Sequence, residues 1–393
     1  MTLFKDEPTI TNRDKHIVNI VFSLNRACNL RCHHCCLSNE YKSNKENMPM
    51  EYLERYFSML DNWITHQKDD VDMITLLMSG AEISMLTDSK FIEYGEKIYA
   101  FYKYVTHKHP EIVFEMLILS NLVSISDKKK NWIKDIFTRS KQESLSVAMS
   151  TSYERYTNRF HKPEILKKWE ENVRWFQSHN IPVVVIWAIS KQDALDSEDI
   201  IKYLDNLKVQ LFYVPLLPTG ESAKNHELIA TYEDFEFFLK TLYKYPNVSN
   251  LMVSQKRSYD YDKVINLILE QNGFVMMDLL QDLVTHYENN QNFNHNNDYI
   301  TEENKPIFVL GNPEEDFLSM QKFWKAYLLQ EKMYRIKSGC YNCEFFEYCL
   351  GGVHTYRPVY HTKQKCPGFK EFLKEMSQKD QKLKNIPILI TQE

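Results

Sequence analysis

Apolar runs rich in β-branched residues alternate with longer amphipathic stretches along most of this chain, and no other feature of the sequence constrains its fold as strongly. Short apolar runs separated by helix-length amphipathic segments mark βα units, which assemble into parallel sheets. Strands are expected at Ile17–Leu24, Met73–Ser79, Phe114–Ser120, Leu145–Ser150, Pro182–Ile189 and Val209–Val214. Helices are expected near Met50–Thr65, Ser89–Val105, Lys128–Phe137, Pro163–Ser178, Ser197–Leu204 and Tyr232–Tyr243. Six such repeats predict an α/β fold, a partial (β/α)6 TIM-like barrel, whose functional loops lie at the C-terminal ends of the strands.

That barrel would span residues 16–245, after an N-terminal extension of residues 1–15. The pattern loosens from Pro246, so residues 246–330 read as a connector, with the Asn-rich stretch Glu288–Asn297 as a surface loop. Residues 331–374 form a small Cys-rich C-terminal segment, and residues 375–393 a charged tail whose apolar patch Ile386–Ile390 could dock back.

Composition removes several classes of function. A hydrophobic fraction of 43% supports a sizeable core. The formal net charge of -5 arises from interspersed charges of both signs, which leaves no basic face for nucleic acid. No run of 18 apolar residues occurs and the N-terminus lacks an export signal, so neither a membrane partner nor secretion is expected; the expected location is cytoplasmic. In that compartment the 8 cysteines should be reduced thiols. Their grouping at residues 28–36 and 340–366 points to metal rather than disulfides.

The first group reads Cys28-Asn-Leu-Arg-Cys32-His-His-Cys35, directly after the first expected strand. Thiolates at this spacing can wrap one corner of a cubane iron–sulfur cluster and leave the fourth iron without a protein ligand. A zinc site is the alternative, though no fourth ligand stands at ribbon spacing. The loop resembles the signature of the radical S-adenosylmethionine (radical SAM) superfamily, including the Cys-Asn-Leu-Arg-Cys opening common in its peptide-modifying branches. That resemblance implies a 4Fe-4S cluster on Cys28, Cys32 and Cys35, with S-adenosylmethionine bound through its amino and carboxylate groups to the open iron. Reduction then cleaves the sulfonium to a 5'-deoxyadenosyl radical. His34 stands where the family usually has an aromatic residue, and its ring could pack near the adenine or lie at the surface. Cys36 is expected to point away from the iron, as a small buried hydrophobe or a hydrogen-atom donor.

Further resemblances follow on successive strands. Ser79-Gly80-Ala81-Glu82 resembles the family's Gly-Gly-Glu element, which meets the ammonium of S-adenosylmethionine; Ala81 replaces the second glycine and Ile83 the usual proline. Ser120-Asn121 resembles Thr-Asn-Gly, and Ser150-Thr151-Ser152 offers hydroxyls for the ribose. Cofactor contacts are therefore expected from Ser79, Gly80, Ala81, Glu82, Asn121, Ser150, Ser152 and His34. Leu217-Pro218-Thr219-Gly220 resembles a turn that precedes the family's C-terminal caps.

The second group, Cys340-x2-Cys343-x5-Cys349-Leu-Gly-Gly with Cys366-Pro-Gly, resembles the auxiliary-cluster domain called SPASM or its shorter relative twitch. The resemblance implies a second 4Fe-4S cluster on Cys340, Cys343, Cys349 and Cys366, with structural zinc as its rival. Val353 and Asp278 stand where further cysteines belong, so the family's inner auxiliary cluster is expected to be absent.

Enzymes of this architecture mostly modify ribosomally made peptides. The resemblance therefore implies a maturase that abstracts a hydrogen from a precursor peptide and forms a carbon–carbon, ether or thioether cross-link, supplied with electrons by a donor such as flavodoxin or ferredoxin. The alternatives are a radical SAM dehydrogenase or epimerase, and a zinc-stabilised, non-enzymatic peptide-binding module. The segment before the first strand is too short for a separate leader-binding domain, so a leader would bind the barrel, the connector or a partner protein.

Overall fold

The computed structural model describes residues 16–37, 39–43, 45–69, 71–216, 221–245, 264–270, 273–277, 339–345 and 370–379. Six parallel strands follow one another in chain order: β1 His16–Ser23, β2 Val71–Ser79, β3 Val113–Leu119, β4 Ser146–Ser152, β5 Val183–Ile189 and β6 Gln210–Pro215. A short helix, α1 Asn39–Ser43, follows the cysteine loop. The crossovers carry α2 Met50–Gln67, α3 Asp88–Lys108, α4 Asp127–Gln142, α5 Pro163–Ser178, and the pair α6 Lys191–Leu195 and α7 Ser197–Asn206; α8 Tyr232–Tyr243 follows β6. Right-handed crossovers that always step in the same direction place their helices on one face of the sheet. The other face becomes the interior of a partial barrel, as the βα alternation predicts.

Packing follows the helical period. On α3 the residues Phe91, Tyr94, Ile98, Tyr102 and Val105 recur every three or four positions and are all buried. Helices start where side-chain caps satisfy their first N–H groups: Thr87 accepts from Lys90 N, Ser126 from Lys129 N and Ser190 from Asp193 N. These caps end the strand-to-helix loops sharply and hold them short.

The sheet continues beyond β6. β7 Val264–Glu270 pairs in parallel with β1, and β8 Gly273–Met277 pairs antiparallel with β7, which gives the order β6-β5-β4-β3-β2-β1-β7-β8. Both strands fall within the stretch expected as a connector. Val-Ile-Asn-Leu-Ile-Leu-Glu is a mostly apolar, β-branched run of strand length, and the lack of a following helical period hid it. With β7 in place, β1 is an interior strand. A last helix, α9 Lys370–Lys379, returns to α8: Phe372 N donates to Glu236 Oε1 at 3.3 Å, and Lys240 pairs with Glu375 at 2.5 Å. Ile386–Ile390 lies outside the described residues.

Candidate active site at the C-terminal ends of the strands

The cysteine loop leaves β1 at its C-terminal end and is held by four other strand-end loops. From β2, Ala81 N donates to Asn25 O at 2.9 Å, and Asn25 Nδ2 donates to Glu82 O at 2.9 Å. From β3, Asn121 Nδ2 donates to Asn29 Oδ1 at 2.7 Å. The β4 loop accepts His33 N on Thr157 O at 2.8 Å, and after β6 Glu221 N donates to Cys35 O at 2.9 Å. Most backbone polar groups of the loop therefore have partners without any ligand, which fixes its path.

Within the loop, Cys32 is buried, while Cys28 and Cys35 are partly exposed. Backbone N–H groups reach two of the sulfurs: Leu30 N donates to Cys28 Sγ and Leu37 N to Cys35 Sγ, both at 3.4 Å. Burial raises the Cys28 thiol and pushes Cys32 up to about 12. Cys35 goes the opposite way: the Cys36 thiol donates to its sulfur, and the charge of Lys42 favours its thiolate further. Negative charge on Cys35 raises both Cys28 and Cys32, and charge on Cys28 raises Cys32, as expected of thiols gathered in one place. Among the described residues no three His, Cys, Asp or Glu side chains converge as a chelating set for a single metal ion. A cubane asks for something else, because each of its irons takes one thiolate. Cys28, Cys32 and Cys35 could supply that donor set.

Cys36 interacts with Cys35, which raises the Cys36 thiol and favours the Cys35 thiolate. One expectation about the loop needs correction. His34 is not a surface histidine, for it is 8% exposed and its Nε2 lies 3.1 Å from Glu154 Oε2 and 3.3 Å from Arg159 Nη2. Arg159 Nε in turn donates to Glu154 Oε2 at 2.5 Å. Burial opposes ionisation of Glu154, but Arg159 and His34 outweigh it and bring the carboxyl down to about 2. This buried charged cluster locks the cysteine loop to the loop after β4.

The other expected residues lie around the same strand ends. Gly80 packs directly against Asn25. Glu82 is 3% exposed and accepts from Ser84 N at 2.8 Å, Ser120 Oγ at 2.6 Å and Asn121 N at 2.6 Å, so it braces the ends of β2 and β3 and keeps one lone pair of its carboxylate. Ser79 is buried beside it. After Asn121, Leu122 has φ 57°, in the left-handed region that favours glycine, at the position where Thr-Asn-Gly has its Gly. Thr151 accepts from Trp169 Nε1 at 3.0 Å and so faces α5. The pleat therefore turns Ser150 and Ser152 to the barrel interior, and Ser150 Oγ is buried there without a partner.

Glu154, Arg159, Asn29, Lys42 and Glu221 were not singled out from the sequence. His34 and Arg159 are 125 positions apart, and no spacing rule links them. In the second cysteine group, Cys340 opens a 3-10 turn at Cys340–Asn342, and Cys343 is half-buried against the main core. Cys349, Cys366, Val353, Asp278 and 217–220 lie outside the described residues.

No protein-family model matches the sequence, and no curated protein does. Solved structures match the fold. Native anSMEcpe, an anaerobic sulfatase-maturating enzyme with bound AdoMet and Cp18Cys peptide, has a TM-score of 0.62 at 14% identity, covering 92% of this chain and 96% of that one. Streptococcus suis SuiB bound to S-adenosylmethionine has a TM-score of 0.51 at 12% identity, covering 90% of this chain and 76% of that one. Both neighbours are radical SAM enzymes that act on peptides or proteins, and their α/β fold is that of this chain. No helix among the described residues is long and apolar enough to cross a membrane.

Proposed function

We propose that this chain, which has the fold of radical SAM enzymes, is itself one and acts on a peptide. The observation that carries this reading is the loop of Cys28, Cys32 and Cys35 at the C-terminal end of β1, held in place by four strand-end loops. A 4Fe-4S cluster bound there, together with S-adenosylmethionine, supplies reductive cleavage of the sulfonium and a 5'-deoxyadenosyl radical. The protein's own part is positioning. The three thiols would ligate, and the backbone of Ser79, Gly80 and Ala81, with the remaining lone pair of Glu82, would meet the ammonium. Ser150 and Ser152 offer hydroxyls from the interior face to the ribose. Asn121 works one step back by holding Asn29, and His34 works through Glu154 and Arg159 rather than by stacking.

A peptide substrate is supported by the anSMEcpe complex with its Cp18Cys peptide. The finer reading is a cross-link, carbon–carbon, ether or thioether, in a ribosomally made precursor peptide, with flavodoxin or ferredoxin as electron donor. Cys340, Cys343, Cys349 and Cys366 would hold a second 4Fe-4S cluster. Oxidation of a peptide residue is the second reading, favoured by the likeness to a sulfatase-maturating enzyme. Incubation of the reconstituted enzyme with short peptides encoded beside its gene separates these outcomes. Loss of two hydrogens with fragmentation blocked between the two joined residues means a cross-link. The same loss with ordinary fragmentation means oxidation, and uptake of one solvent hydrogen means epimerisation.

A further inference from the structure

Lys42 sits on α1 and is 3% exposed, yet its ammonium has no hydrogen-bond partner among the described residues. A buried ammonium without a counter-charge is strongly disfavoured, so some anion must answer it. Glu221, the carboxylate bonded to the start of this helix through Asn39 N at 2.8 Å, pairs with Lys224 at 3.3 Å. What lies against Lys42 is the cysteine loop. Its carbonyl oxygen accepts from Cys28 N at 3.2 Å, so the helix that carries the ammonium is bonded to the first cysteine.

We propose that Lys42 is the buried counter-charge of the iron–sulfur cluster and raises its reduction potential, an inference that rests on the cluster assigned to Cys28, Cys32 and Cys35 above. An oxidised cubane core with three thiolates carries a net single negative charge, and one electron from a low-potential donor makes it doubly negative. A fixed cation stabilises the doubly charged form more than the singly charged one.

The test is a redox titration of the reconstituted full chain without S-adenosylmethionine, poised with dithionite and read by the electron paramagnetic resonance of the reduced cluster. Lys42→Met should hold its iron but lower the ratio of reduced to oxidised cluster about tenfold at a fixed potential, a shift of ~59 mV for one electron. Lys42→Arg should stay close to the parent. A Met variant with full iron and an unchanged midpoint overturns the proposal. Should the Met variant hold no iron, the Arg variant decides: full iron at the parent midpoint supports a required charge, and loss of iron there too shows that shape matters and overturns it. Absence of a four-iron cluster from the parent protein would instead reject the cluster assignment itself.

Discussion

Gly80 lies so close to Asn25 that a Cβ on it would stand 2.2 Å from Asn25 Oδ1 and 2.9 Å from Asn25 O. The side-chain atom cannot move aside freely, since Asn25 Nδ2 is bonded to Glu82 O at 2.9 Å, and the backbone oxygen belongs to the cysteine loop. Gly80→Ala should therefore push β1 and β2 apart at the site and cost about 1–3 kcal/mol of stability. Thermal unfolding and iron content should both fall, and an unchanged melting temperature would contradict the close approach.

Glu82→Gln keeps the shape of the side chain but turns an acceptor into a donor that faces Ser84 N, Ser120 Oγ or Asn121 N. It also removes the negative charge that, on the proposed function, meets the ammonium of S-adenosylmethionine. Affinity should drop by at least tenfold, since hydrogen bonds to charged groups contribute about 1.5–3 kcal/mol. Equilibrium binding to the reconstituted protein measures this, and wild-type affinity would place Glu82 outside the ligand site.

Glu154 gives stability a specific acid limb. Its carboxyl falls from 4.5 to about 2 in the folded protein, so its contribution is fully present above the unfolded value and is lost as pH drops from about 4.5 towards 2. At about 1.36 kcal/mol for each tenfold change in proton affinity, that amounts to roughly 3 kcal/mol. Asp193 has the opposite sign: burial raises its carboxyl to about 6, so its stabilising effect is present at low pH and lost as pH rises through 6. Denaturation curves of Glu154→Gln between pH 2 and 6 should be flatter than those of the parent, and parallel curves would contradict the pairing with Arg159.

The six βα strands were legible because apolar runs and helical periods are local. Cys28, Cys32 and Cys35 were legible because one short motif holds them. What was not legible depends on convergence. Lys42 looks like any surface lysine in sequence, and only the turn into α1 buries it. His34 reads as a departure from an aromatic position until Glu154 and Arg159, from another βα unit, arrive beside it. Leu122 adopts left-handed backbone at φ 57° in a strand-end loop, which a leucine, unlike a glycine or asparagine, does not announce.

The C-terminal cysteines make a countable prediction. If Cys340, Cys343, Cys349 and Cys366 hold a second cubane, the fully loaded protein should contain about eight irons, from two four-iron clusters. Replacing Cys343 by Ala should then remove about half of the iron and leave S-adenosylmethionine cleavage running. Four irons with one zinc in the parent protein would assign the second group to zinc.

The most direct test of the central claim is release of 5'-deoxyadenosine from S-adenosylmethionine by the anaerobically reconstituted protein in the presence of dithionite, measured by mass spectrometry. The parent protein and Cys36→Ala should both release it, because Cys36 stands outside the proposed ligand set of Cys28, Cys32 and Cys35. Cys32→Ala should release none, because no other thiol can take its place at the buried centre of the loop. Equal release by the Cys32→Ala protein, or a colourless parent protein that binds zinc and releases nothing, would contradict the account.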